Sequence, residues 1–296
     1  MSSTTRDTDP AVAAPRLVAT DLDGTLLRPD GTVSARTAAA LAAAEAAGLD
    51  VVFVTARPHR WLVDLARHVA GHGVAICANG ATVVDVAGLR VLEEHGMDRA
   101  RVTEVASRLR AAWGADRVHL AVEGRDGFAA EQGFRVDGDE REAAPTAARI
   151  EDVLPATTFK LLLRATGRSA DADAFVADAQ RVVGDLAHVS SSAAGALGEI
   201  AAPGVTKAAT LARWTARRGI DARAVWAVGD APNDLPMLSW AGRALAVANA
   251  HRAVLDVADE VLPSNADDGV AVLLERATAV RGGVADVHRA HGVPRR

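Results

Sequence analysis

The sequence lacks the features that mark secreted and membrane proteins. It has a single cysteine, Cys77, so no disulfide can form within the chain. No apolar run reaches the roughly 18 residues that a membrane-spanning helix requires. The segment from Met1 to Pro15 does not show the charged and then apolar order of a signal peptide. We therefore expect a cytoplasmic protein that makes no contact with a membrane.

Lysine is almost as scarce as cysteine, and tyrosine is absent. Of the 33 lysine and arginine residues, only Lys160 and Lys207 are lysines. The formal net charge is −5 and the basic residues form no stripe, so nucleic acid is not an expected partner. Where almost every cation is an arginine, a lysine indicates a position that needs a compact ammonium group.

The chain has 296 residues, which is comfortable for two domains. Short apolar runs alternate with helical patterns near both ends, which predicts an α/β fold: parallel βαβ units with helices on both faces of a sheet. The middle shows alternating strand patterns and two helical stretches, which predicts an α+β insert. The predicted boundaries are a core of 15–82 and 203–280, an insert of 83–202, and flexible tails of 1–14 and 281–296.

The first polar cluster, Asp21-Leu22-Asp23-Gly24-Thr25, directly follows the predicted strand Leu17 to Thr20. In an open parallel sheet, the carboxyl ends of the strands border the ligand crevice. Two acids so close together repel each other unless a cation or a proton lies between them. Mg²⁺ accepts such hard oxygen ligands. The alternative is an ordinary acidic turn at the end of a strand.

The second cluster, Thr55-Ala56-Arg57-Pro58, follows the next predicted strand, Val51 to Val54. The Thr55 hydroxyl and the backbone amides at a helix start can hold a phosphate group. The alternative, compatible with the first, is that Thr55 is the N-cap of the helix. Arg57 is a candidate for substrate contact.

The remaining two clusters lie in the second half of the chain. Lys207 opens a predicted helix, where a cation is poorly placed for the helix dipole unless an anion pairs with it. The alternative is an exposed lysine in the first turn. The run Gly229 to Asp234 follows another strand. There Asp230 could complete a metal site while Asn233 and Asp234 orient ligands, or these residues could simply cap a helix.

In combination and order, the four clusters resemble the haloacid dehalogenase superfamily. The resemblance to its Cof-type hydrolase branch, subfamily IIB, rests on the large insert and on three further motifs: Asn79-Gly80-Ala81, Asn249-Ala250, and the run from Ser264 to Val270. It spans Leu17 to Leu274. It implies a Rossmann-like, doubly wound parallel-sheet core with an inserted α+β cap domain.

The resemblance also implies the chemistry of the site. Asp21 would be the nucleophile and a metal ligand, and Asp23 the general acid/base that also binds the metal through its backbone carbonyl. Asp230 would complete the Mg²⁺ site. The residues that would support the phosphate or the metal's surroundings are Thr55, Lys207, Asn233 and Asp234. Weaker candidates for contact with the substrate are Arg57, Asn79 and Lys160.

The function implied is a Mg²⁺-dependent phosphatase that acts on a small phosphorylated metabolite, such as a sugar, polyol or vitamin-related phosphate, through an aspartyl-phosphate intermediate. A phosphomutase or other phosphotransferase would share that intermediate and pass the phosphoryl group to another hydroxyl. A binding module without catalysis is the alternative from a different class, which the complete set of reacting groups disfavours.

Overall fold

The computed structural model describes five segments of the chain: 14–68, 73–134, 144–169, 171–191 and 197–290. Up to the insert, the elements are β1 (Leu17–Thr20), α1 (Ala35–Ala46), β2 (Asp50–Val54), α2 (Leu62–His68), β3 (Val74–Cys77), β4 (Thr82–Asp85) and β5 (Arg90–Glu94). After the insert they are α5 (Lys207–Arg217), β12 (Val225–Gly229), α6 (Leu235–Trp240), β13 (Arg243–Val247), α7 (Arg252–Leu255), β14 (Glu260–Leu262) and α8 (Gly269–Ala290).

These two parts of the chain form one eight-stranded sheet with the order β14-β13-β12-β1-β2-β3-β4-β5. The six strands from β14 to β3 are parallel, and β4 and β5 add an antiparallel edge. Strand β1 lies between β2 and β12, so it joins the first part of the chain to the second. The residues that follow β1 and β12 therefore meet at one edge of the sheet.

Helices cover both faces of this sheet, because successive side chains of its strands point into two different apolar cores. Val18 packs into the core that contains residues of α1 and α8, such as Leu41 and Leu274. Its neighbour Leu17 belongs to the opposite core, with Leu211 of α5. Successive side chains of a strand point to opposite faces, so both faces of a buried strand must be apolar. The predicted doubly wound α/β fold is confirmed.

The elements of the insert are α3 (Arg99–Trp113), β6 (Val118–Gly124), β7 (Gly127–Glu131), β8 (Thr146–Ala147), β9 (Thr158–Ala165), α4 (Ala172–Val183), β10 (His188–Ser190) and β11 (Gly198–Ala201). Its strands form the second, six-stranded sheet, with the order β10-β11-β9-β6-β7-β8. The pairs are antiparallel except for β7 and β8. Residues such as Leu161 and Leu163 face helices α3 and α4, against Leu109 and Phe175.

The strand pairing moves two of the predicted boundaries. Strand β4 pairs with β3, and β5 pairs with β4, so residues 83–94 belong to the core sheet and not to the insert. Helix α8 continues to Ala290, so the predicted tail of 281–296 begins inside this helix. The predicted N-terminal tail falls almost wholly outside the described residues. Within the described part of the chain, no helix is long and apolar enough to cross a membrane.

Cys77, at the end of β3, gives a first testable expectation. Its thiol is fully buried, and this burial raises its pKa to about 12. The thiolate is the reactive form, so alkylation of the native protein by iodoacetamide at pH 8 should be about a thousandfold slower than that of a free cysteine. The unfolded protein is the control and should react at the ordinary rate. Mass spectrometry measures the extent of labelling over time. Rapid labelling of the native protein would contradict the buried position of Cys77.

Candidate active site

Three carboxylates meet where β1 and β12 end side by side. Asp21 follows β1, and Asp230 and Asp234 follow β12. The backbone N–H of Asp21 donates to Val228 O at 3.0 Å, which ties the two strand ends together. One oxygen of each of the three carboxylates lies within 4.8 Å of the other two. The adjacency of two strands more than 200 residues apart in the chain therefore creates the acidic cluster.

Lys207 is the cation of this cluster. Its Nζ donates to Asp21 Oδ1 at 2.5 Å and to Asp234 Oδ1 at 2.8 Å. The lysine is only 3% exposed, so the alternative of an exposed first-turn residue is wrong. Burial on its own would lower the pKa of Lys207, but the two carboxylates outweigh it and raise the pKa. The ammonium group is thus permanently charged, and the acids offset its unfavourable place at the start of α5.

The carboxylates outnumber the cation, and their pKa values reflect this. Burial raises the pKa of Asp21 well above its ordinary value, with Asp234 and Asp230 adding to the rise while Lys207 opposes it. Burial also raises the pKa of Asp230, although the hydrogen bond from Thr25 opposes this. Excess negative charge among buried hard oxygen ligands is what a divalent cation such as Mg²⁺ neutralises. Asp21 and Asp230 therefore fit a magnesium site.

Asp234 has a supporting place in the cluster. While Oδ1 accepts from Lys207, Oδ2 accepts the backbone N–H groups of Asp230 and Ala231, each at 3.1 Å. Asp234 is fully buried, and both of its oxygens are engaged. Its carboxylate therefore fixes Lys207 and the loop that carries Asp230.

The turn after β1 is held against the β12 loop by contacts that the motif reading did not single out. Gly24 has φ of +79°, and a Cβ there would lie 2.4 Å from Asp230 Oδ2, so only glycine fits. Thr25 Oγ1 donates to Asp230 Oδ1 at 2.7 Å, and Asn249 Nδ2 donates to Gly24 O at 2.7 Å. Thr25 and Asn249 stood inside quoted motifs, but sequence alone does not show which group each one holds.

Asp23 lies outside the carboxylate cluster. Its side chain is 55% exposed and forms an ion pair with Arg57. Arg57 Nη2 lies 2.5 Å from Asp23 Oδ1, and Arg57 Nε lies 2.8 Å from Asp23 Oδ2. Such a two-pronged contact is the arrangement of an ionised carboxylate. Arg57 is thus placed on the candidate acid/base. The Asp23 side chain is not among the clustered carboxylates, which leaves its backbone carbonyl as the possible metal ligand.

Thr55 is fully buried at the end of β2, beside the cluster-bearing strand β1. Its Oγ1 accepts the backbone N–H of Arg57 at 3.0 Å, two residues on, and α2 begins only at Leu62. The hydroxyl therefore caps a local turn, and the predicted helix N-cap is wrong. The hydroxyl proton of Thr55 remains available to a ligand, because only an oxygen lone pair is used by Arg57.

A chain of buried polar groups links the core to the insert. Asn233 Nδ2 donates to Asn79 Oδ1 at 3.3 Å, and Asn79 Nδ2 donates to Glu199 Oε2 at 2.7 Å. Lys160 Nζ in turn donates to Glu199 Oε1 at 2.6 Å and to the core carbonyl of Ala56 at 2.7 Å. Lys160 thus joins the two sheets, and its ammonium group does not line the cavity described next.

A cavity of about 700 Å³ opens between the two sheets above the carboxylate cluster. Its core wall includes Lys207, Asp230, Asn233 and Asn79, and its other wall comes from the insert. Asn233 Oδ1 is buried here without a hydrogen-bond partner among the described residues, so a bound hydroxyl or water can satisfy it. The volume suits a small organic ligand.

A Rossmann-like sheet with an inserted cap and an acidic strand-end cluster defines a class of hydrolase, and the sequence comparison agrees. The family profile of haloacid dehalogenase-like hydrolases matches residues 18–274. The chain belongs to this family. The resemblance inferred from the motifs is confirmed, including the Cof-type branch.

Several relatives extend over nearly the whole chain. Pyridoxal phosphate phosphatase YbhA of Escherichia coli (strain K12) is 28% identical, with 86% of this chain and 96% of the relative covered. The 5-amino-6-(5-phospho-D-ribitylamino)uracil phosphatase YcsE of Bacillus subtilis (strain 168) is 27% identical, with 86% and 93% covered. The solved structure of a sugar phosphatase of subclass IIB has a TM-score of 0.70 at 19% identity, with 88% and 98% covered, which supports the fold.

Proposed function

We propose that the protein is a Mg²⁺-dependent phosphatase of small phosphorylated metabolites that works through an aspartyl phosphate on Asp21. The observation that carries this proposal is the cluster of Asp21, Asp230 and Asp234 around the buried Lys207, because Lys207 and Asp230 also line a ligand-sized cavity. Relatives with full-length coverage are phosphatases named for different small phosphates. A reducing cytoplasmic location, with its one cysteine buried and free, is part of the same proposal.

Phosphoryl transfer depends mainly on two things: neutralising the charge on the phosphoryl oxygens, and holding the attacking and leaving oxygens in line with phosphorus. Asp21 attacks phosphorus, the bond to the ester oxygen breaks, and the alcohol leaves. Lys207 neutralises phosphoryl oxygens while it holds Asp21 in place, and Asn233 and the Thr55 hydroxyl contribute hydrogen bonds. Asp21, Asp230 and the backbone carbonyl of Asp23 would hold Mg²⁺, which would supply the remaining positive charge.

Asp23 transfers a proton in each of the two steps, to the leaving alcohol and from the incoming water. It must donate a proton to the ester oxygen as the alcohol departs and take one from the water that hydrolyses the aspartyl phosphate. Arg57 holds both oxygens of the Asp23 carboxylate in this structure, so one of these contacts must open before Asp23 takes up the proton that it donates to the ester oxygen. Arg57 is thus a positioning residue for Asp23 in the proposed mechanism.

The test is hydrolysis of p-nitrophenyl phosphate by the purified protein. Activity with Mg²⁺, its loss on chelation by EDTA, and its return when Mg²⁺ is restored in excess are the expected results. Absence of hydrolysis for this compound and for a panel of phosphorylated metabolites would favour a binding module. A sugar phosphate converted to its isomer, only when a sugar bisphosphate is supplied, would favour a phosphomutase.

The raised pKa values of Asp21 and Asp230 predict how Mg²⁺ stabilises the fold. In the metal-free protein, these acids hold protons more tightly when folded than when unfolded. Their contribution to the free energy of unfolding is complete below about pH 4 and is lost as the pH rises through the raised pKa values. Mg²⁺ needs the ionised carboxylates, so it opposes this loss increasingly as the pH rises.

The expected result is a rise in melting temperature of about 5 °C with saturating Mg²⁺ at pH 8, and a clearly smaller rise at pH 5. Differential scanning fluorimetry at both pH values measures it, with sodium chloride at matched ionic strength as the control. An equal rise at both pH values would show that the metal does not bind at these two acids.

A further inference from the structure

We infer that the cavity selects phosphate monoesters whose alcohol portion carries hydroxyl or amino groups and no second anionic group. This inference rests on the proposed phosphatase function and concerns the wall opposite the phosphate. That wall is built by the insert, from the start of α4 and from β10. The residues of this wall on which the argument depends are Asp171, Asp173, His188 and Ser190.

Two acids at the start of α4 set the charge of the wall. Asp171 Oδ1 accepts the backbone N–H of Ala174 at 2.8 Å, which caps the helix and fixes the carboxylate in place. Asp173, in the first turn, also lines the cavity. Within the described part of the chain, neither carboxylate forms an ion pair, so their negative charge is not neutralised locally.

Among the residues that the structure describes, the cavity wall offers no further cation to a second anionic group. Lys207 is the only lysine or arginine of this described lining. Of the two lining histidines, burial lowers the pKa of His188, which disfavours its charged form, and His251 Nδ1 already accepts the backbone N–H of Ala253. Lys207 lies on the floor, already between Asp21 and Asp234, where the transferred phosphate would also lie. A carboxylate or second phosphate on the alcohol portion would therefore face the two acids of α4 without a partner, which is electrostatically unfavourable.

Hydroxyl and amino groups, in contrast, find acceptors on the same wall. The two carboxylates accept hydrogen bonds from such donors. Ser190 Oγ donates to Glu199 O at 3.5 Å and accepts from Asn79 Nδ2 at 3.4 Å, and it keeps a second lone pair that can accept from the ligand. A charged amino group gains further from the negative potential of the wall. The volume of about 700 Å³ leaves room for a group the size of a hexose.

The experiment compares kcat/KM for three esters of similar size: glucose 6-phosphate, glucosamine 6-phosphate and 6-phosphogluconate. The first is neutral apart from its phosphate, the second carries an amine, and the third carries a carboxylate. For the natural protein we expect both of the first two to exceed 6-phosphogluconate by about tenfold or more. Because Asp171 and Asp173 are both exposed, this ratio should shrink as the salt concentration rises.

The double variant Asp171→Asn, Asp173→Asn removes both charges and keeps the helix cap, because asparagine caps as well as aspartate. It should raise kcat/KM for 6-phosphogluconate about tenfold relative to glucose 6-phosphate. The control is Asp185→Asn, an exposed acid beyond the far end of α4, roughly 18 Å along a helix of this length, which should leave the ratio unchanged.

Two results would overturn the inference while leaving the proposed function intact. Equal kcat/KM for all three esters in the natural protein, with normal turnover, would show that the wall does not select by charge while the phosphatase function stands. Selection that survives unchanged in the double variant would place its origin elsewhere than in Asp171 and Asp173. If no phosphate ester is hydrolysed, the proposed function fails and this inference fails with it.

Discussion

Replacing Asp21 with asparagine should reduce the turnover of p-nitrophenyl phosphate by at least about 10⁴-fold, as the loss of a covalent nucleophile does in other enzymes. An amide of the same shape keeps one oxygen for Lys207 but is far too weak a nucleophile to attack phosphorus. Steady-state kinetics with saturating Mg²⁺ measures the effect, and no aspartyl phosphate should form.

The same substitution should raise the stability of the metal-free protein at pH 8. The environment of Asp21 disfavours its ionised form, because burial and the two neighbouring acids outweigh Lys207. An uncharged side chain removes that cost, and Lys207 keeps its contact with Asp234. Urea unfolding should therefore give a higher free energy of unfolding for the inactive variant. Lost activity with undiminished stability would show that the defect is chemical and is not a failure to fold.

Asp50→Asn is the matched control, because Asp50 is the exposed first residue of β2, next to β1 but at the opposite end of the sheet. It should leave both turnover and stability close to those of the natural protein. Full turnover in Asp21→Asn, once mass spectrometry has excluded deamidation back to aspartate, would contradict the proposed mechanism. Asp230 would then be the next nucleophile to test.

The position of Asp21 at the edge of the sheet could be predicted from the sequence, because it depends only on the strand that directly precedes Asp21. A polar residue that directly follows a buried parallel strand must lie at the carboxyl edge of the sheet. The same rule applies to Thr55 after β2 and to Asp230 after β12. The motifs in combination implied that Asp21 and Asp230 share a metal site, and the structure brings the two together because β1 lies beside β12.

What the sequence did not reveal depends on contacts between distant parts of the chain. Arg57 lies on Asp23, and Lys160 bridges Glu199 and the carbonyl of Ala56, because the loops of the core and the strands of the insert approach one another in space. No local pattern specifies such an approach.

The errors at the edges of the elements have similar causes. Residues 83–94 were assigned to the insert, and the structure places them in the core sheet, because a sequence pattern does not tell which sheet a segment joins. The short turn His59–Trp61 separates Thr55 from α2, which begins at Leu62, so Thr55 is too far away to cap that helix. Both errors concern how segments meet, and neither displaced the strand ends that carry the site.

Lys207→Met is expected to have the second large effect, this time on stability as well as on turnover. Methionine fills similar space but leaves Asp21 and Asp234 buried without their cation. Removing one partner of a buried ion pair typically costs about 3–5 kcal/mol of the free energy of unfolding. The loss should be greatest at pH 8 without Mg²⁺, where the acids are most ionised, and Mg²⁺ should restore part of it. Turnover should fall by about 10²-fold or more, as for loss of a charge-stabilising donor.

Lys160→Met is the matched control, since Lys160 is the other lysine of the chain and is also buried against a carboxylate, that of Glu199. It should lower stability in a similar way, yet keep the turnover of p-nitrophenyl phosphate within about tenfold, because the partners of Lys160 are Glu199 and the carbonyl of Ala56 and not the clustered carboxylates. A loss of turnover as large as that of Lys207→Met would instead assign Lys160 to the phosphate site.

Adding Asp234→Asn to Lys207→Met separates the two roles of the lysine. The amide oxygen of the introduced side chain can still accept the backbone N–H groups of Asp230 and Ala231, and its NH₂ group then faces the position that Lys207 Nζ occupied. One of the two buried charges that Lys207→Met leaves without a cation is then gone, so about 1–3 kcal/mol of stability should return in urea unfolding. Turnover should stay low, because a neutral amide cannot neutralise the phosphoryl oxygens. Recovery of turnover together with stability would show that Lys207 serves the fold alone.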